Sequence, residues 1–176
     1  MVLREHDMGN TARVDFTAEH SFTALPLAVT DVMCDPAFQT RLDLPDLSRP
    51  EVVESTTNGT TRVLRLRYEY IGKLDPIARR VVGSRQLTWL QDLQVDTATM
   101  AGSLTFAAEA EPEKLFGRAV LVLTAAADGT TRRITGSLSV KVPLVGRTAE
   151  RRIVPGLVQR LDVEAAATEA ELKARE

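Results

Sequence analysis

The chain has 176 residues, a formal charge of −2 and one cysteine. That length suits one domain able to bury its core without staples, and a lone thiol excludes both an internal disulfide and a zinc site built from cysteine pairs. The slight acidity argues against a nucleic-acid binder, which needs concentrated positive charge. Residues 1–12, MVLREHDMGNTA, read as a polar leader without the apolar run of ~7 to 15 residues that a signal peptide needs. No later stretch reaches the ~18 apolar residues of a bilayer span. The expectation is a cytoplasmic protein with no stable membrane insertion, folded as one domain over residues 13–176.

The first strand is announced by Val14, Phe16, Ala18, His20 and Phe22 alternating with Arg13, Asp15, Thr17, Glu19 and Ser21, the period of two of a half-buried strand. Leu25, Val29, Val32 and Met33 then share a helical face, and Asp35-Pro36 closes that helix because the residue before proline avoids the helical region. A second short helix is expected from Pro36 to about Arg41, anchored by Phe38. After a connecting loop, Glu51 to Ile71 forms a hairpin with its turn at Thr57-Asn58-Gly59, where Asn-Gly tolerates positive φ. Leu64, Leu66, Tyr68 and Tyr70 point inward in its second strand, opposite Arg65, Arg67 and Glu69.

Gly72 to Gly83 interrupts the strand pattern with Pro76 and sets Ile77, Val81 and Val82 near one face of a short helix, which makes it a candidate lid. Two strands follow, with Leu87, Trp89, Gln91, Leu93 and Val95 inward on the first and Met100, Gly102, Leu104 and Phe106 on the second. A sixth strand is expected from about Arg118 to Ala126, a hairpin turn at Asp128-Gly129, and a seventh strand with Ile134, Gly136, Leu138, Val140 and Val142 on its buried face. From Val145 to Leu172 the apolar residues recur at steps of three or four, the period of a long helix. Pro155 predicts a kink or break near Ile153 to Gly156, because it removes a backbone donor and crowds the preceding turn.

This order makes an α+β fold: seven antiparallel strands, two short helices after strand one, and a long C-terminal helix. A sheet with one apolar face buries it by curling around that helix, the helix-grip arrangement. The chain resembles the START-like superfamily, also called SRPBCC or pollen-allergen-like, from Val14 to about Leu172. Three segments, "VTDVMCDPAF", "LTWLQDLQVD" and "VKVPLVGRTAE", are similar to an actinobacterial family known only as domain of unknown function 2505. The superfamily resemblance implies a pocket without naming its contents: such proteins bind sterols, lipids, polyketides or plant hormones, act as cyclases or dehydratases, or serve as protein adaptors.

Within that frame His20, Tyr68, Tyr70, Trp89, Gln91, Phe106, Leu138, Leu157 and Leu161 are the expected ligand-binding residues, a mostly apolar lining with a few polar tips. The expected ligand is a small hydrophobic, lipid-like molecule held between sheet and terminal helix. A cyclase or dehydratase is the alternative, as is an interaction module with a filled core. No catalytic set, metal site or cofactor is expected. His20 titrates in the useful range but shows no second catalytic partner, the carboxylates of its own strand pointing away. Cys34 reads as a small core residue beside Asp35, whose charge would raise its pKa. Arg147, Arg151 and Arg152 at the start of the terminal helix oppose its macrodipole, which leaves two readings. They meet an anionic group, or they are solvated and offset by Glu150 and nearby acids.

Overall fold

The computed structural model describes residues 13–175. The polar leader, with its other histidine, lies outside the described residues. Seven strands form one curved antiparallel sheet: β1 (Val14–Phe22), β2 (Glu51–Asn58), β3 (Thr61–Glu69), β4 (Thr88–Asp96), β5 (Ala101–Ala108), β6 (Leu115–Ala126) and β7 (Gly129–Val140). Their spatial order is β1-β7-β6-β5-β4-β3-β2, so the first strand pairs with the last and β2 forms the far edge. Between β1 and β2 come α1 (Pro26–Met33) and α2 (Pro36–Gln39); α3 (Pro76–Val82) follows β3, and α4 (Gly146–Ala174) closes the chain.

Local chemistry accounts for the boundaries. Proline at the first helical position starts α1, α2 and α3, where a missing N–H costs nothing. Asp35 caps α2 by accepting from the Ala37 amide at 2.9 Å. Leu25, expected on the buried face of α1, sits just before the helix and is 71% exposed. The β2–β3 turn falls one residue later than the sequence suggested: Asn58 still pairs with Thr61, and Gly59 takes the positive φ of 59°. Likewise β6 begins at Leu115, three residues before the expected start, because Leu115 and Phe116 pair with Val140 and Ser139. Helix α4 is continuous from Gly146 to Ala174 with Pro155 inside it, so the helix is not broken there.

The inward rows bury as the alternation predicts, with Leu64, Leu66, Leu138 and Val140 all nearly inaccessible. Arg65 and Arg67 lie on the outer face, paired with Asp92 and Glu109. One half of the grip is filled: Phe16, Phe22, Val29, Val32, Met33, Leu64, Leu104, Leu121 and Leu161 pack between the sheet, α1 and the C-terminal part of α4. At the other end, near α3, the same sheet and helix stand apart.

Candidate functional site

The separation leaves a cavity of about 330 Å³. Its sheet wall comes from Tyr70, Leu87, Trp89, Phe106, Ala108 and Leu115, its roof from Ile77, Ala78, Val81 and Val82 of α3, and its helix wall from Ala149, Ile153, Leu157 and Arg160 of α4. Phe106 can lie against the sheet because its pairing partner is Gly117, where a Cβ would collide with the ring. The mouth is polar, with exposed Asp46, Lys73 and Arg152 at its border.

Helix α3 is the expected lid, and nothing in it is fully buried. Asp75 caps it, accepting from the Ile77 and Ala78 amides, both at 2.8 Å, and accepts from Arg152 Nη1 of α4 at 2.8 Å. These bonds hold the Asp75 carboxyl below its ordinary pKa, the Ala78 amide contributing most. Arg152 therefore has a counterion in the lid. Arg147 and Arg151 are exposed, but Glu150 is no solvated counter-charge: it is fully buried and accepts from the Val140 amide at 2.8 Å.

The expected lining residues divide. Tyr70, Trp89, Phe106 and Leu157 line the cavity. Gln91 and Leu161 line instead a void of about 10 Å³ inside the filled half, scarcely room for one water. Tyr68, Leu138 and His20 border neither space. Tyr68 is fully buried: its ring stacks on Trp89, with centroids 5.5 Å apart, and its hydroxyl has no hydrogen-bond partner among the described residues. Burial pushes that phenol up to about 12.

Three interior charges escaped the sequence reading. Arg132 of β7 is wholly buried. It donates to Glu164 Oε1 at 3.3 Å and to the Leu161 carbonyl at 3.4 Å, and its guanidinium lies 5.4 Å from the Phe22 ring centroid. Arg160 of α4, 7% exposed, donates through Nη2 to Gln91 Oε1 and lies over the Tyr68 ring, 4.5 Å from its centroid. Arg132 shares the inward parity of Ile134 and Leu138; Arg160 and Glu164 share the helical face of Leu157, Leu161 and Thr168. The periodicity carried the signal, and the rarity of buried charge concealed it.

His20 stands across from Arg132 in register and has a carboxylate partner after all, on the helix. Arg132 Nη2 donates to His20 Nδ1 at 3.1 Å, which puts the ring proton on Nε2, 2.9 Å from Asp162 Oδ1. Burial and the Arg132 charge lower the His20 pKa, against the pull of Asp162. This triad lies away from the cavity, and Asp162 is 60% exposed. Cys34 has its pKa raised to about 11, mainly by burial and not by Asp35, whose carboxylate engages Arg175 and the Ala37 amide.

The model of one protein family, described as protein of unknown function (DUF2505), matches residues 17–172. The chain belongs to that family. For this DUF2505 protein, three solved structures are similar in fold. TTHA0849 from Thermus thermophilus is 16% identical over 93% of this chain and 99% of its own, with a TM-score of 0.64. Ara h 8.0201 is 16% identical over 93% and 99%, with a TM-score of 0.61. The Zhui aromatase/cyclase from Streptomyces sp. R1128 is 15% identical over 93% and 94%, with a TM-score of 0.59. Such likenesses establish the helix-grip fold and nothing finer. No curated protein matches the sequence.

Among the described residues no group of three or more His, Cys, Asp or Glu is placed to hold a metal ion, and no helix is long and apolar enough to cross a membrane.

Proposed function

We propose that this DUF2505 protein binds a small hydrophobic or amphipathic molecule, without chemical change, in the cavity between β4–β6, α3 and α4. The observation that carries the reading is the cavity itself: about 330 Å³, walled mainly by apolar side chains, at the end of a grip whose other half is filled. A space of that size bordered by few polar groups is the physical form of a small-molecule site. Covering it with α3, which has no fully buried residue and is tied to α4 by one ion pair, suits an element that opens for entry. Against chemistry at this site stands the position of His20 and Asp162, which pair outside it.

A neutral solvatochromic dye such as Nile red tests the reading. It should bind with a blue shift and quench Trp89, the single tryptophan, which faces the cavity. Saturable binding of one dye per chain supports the proposal; an unchanged Trp89 spectrum at saturating dye contradicts it.

A further inference from the structure

We infer that the bound molecule is an amphipathic carboxylate whose charged end meets Arg160 at the inner end of the cavity; this rests on the binding reading above and names the ligand class. Two guanidiniums lie in the interior of the grip. Arg132 has its counterion, Glu164, at 3.3 Å. Arg160 forms no ion pair with any described residue, although it is 93% removed from solvent and belongs to the cavity wall. The other buried carboxylate, Glu150, is engaged by the Val140 amide.

A desolvated charge is unfavourable unless it is paired. Arg160 has partial compensation: the Tyr68 ring face and one hydrogen bond to Gln91. Its Nε–H remains without an acceptor. A guanidinium only donates, so what is missing is an acceptor, and a carboxylate supplies both the acceptor and the negative charge. Tyr68 and Gln91 hold the guanidinium in place, which lowers the entropy lost when an anion docks. The remaining wall, from Trp89 and Phe106 to Ile77 and Val81, is apolar and suits a hydrocarbon or ring body extending toward the mouth.

The test is a set of molecules with one tail and three heads, decanoate, decanol and decylammonium, titrated against the full chain by isothermal calorimetry at pH 7.5. A charge-assisted hydrogen bond predicts that decanoate binds about 10- to 100-fold more tightly than decanol. Decylammonium should bind most weakly. Arg160→Met should bring the decanoate-to-decanol ratio close to one. Equal affinities of decanoate and decanol for the unaltered protein would overturn the role of Arg160 and leave the binding reading standing. So would a ratio unchanged in Arg160→Met. Failure of all three, together with failure of Nile red, would overturn both. If Arg160→Met does not fold, the head-group series on the unaltered protein decides alone.

Discussion

The Arg160 guanidinium lies over the Tyr68 ring, 4.5 Å from its centroid, and the same ring stacks on Trp89. This stack divides the grip. On one side Leu161, Leu66 and Gln91 close around a void of about 10 Å³; on the other, Leu157, Trp89 and Phe106 face about 330 Å³. Two helix positions one turn apart, 157 and 161, therefore belong to different environments, and this difference can be measured.

Leu157→Trp should occupy the cavity and weaken Nile red binding at least about tenfold, with stability changed by no more than about 0.5 kcal/mol, since the added volume enters open space. Leu161→Trp should leave dye affinity nearly intact and cost about 1–3 kcal/mol, because it overpacks a filled core. Urea denaturation alongside dye titration reads both. Similar behaviour of the two variants would mean that the partition is not where the stack places it.

Removing Arg132 leaves Glu164 buried without its cation. Arg132→Met should cost about 3–5 kcal/mol in urea unfolding, whereas Arg132→Met combined with Glu164→Leu should recover most of the loss, because no charge is then stranded. A double-mutant cycle measures the coupling. Additive losses would show that the pair contributes no specific coupling.

How far the sequence disclosed this arrangement depends on the range of the interaction. Alternation in β7 and the helical repeat of α4 were legible because burial of one face dictates them locally. Tyr70, Trp89, Phe106 and Leu157 line one space because strand parity and helical phase both aim them inward. Tyr68 and Leu161 have the same parity and phase yet lie in filled surroundings, since where the sheet and helix separate depends on their relative tilt. The Asp162 partner of His20 was likewise invisible, 142 residues away in the chain. Arg132, Arg160 and Glu164 sat in the correct rows, but charge marked them as surface residues.

The His20 pKa is lowered on folding, so the unfolded chain binds more protons as the pH passes below the ordinary value of 6.5. Its contribution is then fully present above about pH 6.5 and is lost as the pH falls toward the folded value. Thermal unfolding of the unaltered protein should lose stability as the pH falls below about 6.5, and His20→Gln should flatten that segment of the curve. Identical slopes would remove His20 from the acid response, leaving the carboxylates, whose effect enters at lower pH.

Asp75 joins the lid cap to α4 through Arg152. Arg152→Ala should speed hydrogen exchange across residues 77–83 while protection in β4–β7 stays constant, and Asp75→Ala, which also removes the cap, should speed it further. Saturation with a cavity ligand should slow exchange in the same segment of the unaltered protein. Uniform protection of α3 with and without ligand would locate the entrance elsewhere.

The central claim is that the cavity holds a small molecule, and native mass spectrometry of the protein purified from its own host tests it most directly. The account predicts a chain carrying one discrete small-molecule increment, lost on denaturation and regained when the stripped protein is incubated with decanoate. The bare polypeptide mass alone, both as purified and after that incubation, would contradict it.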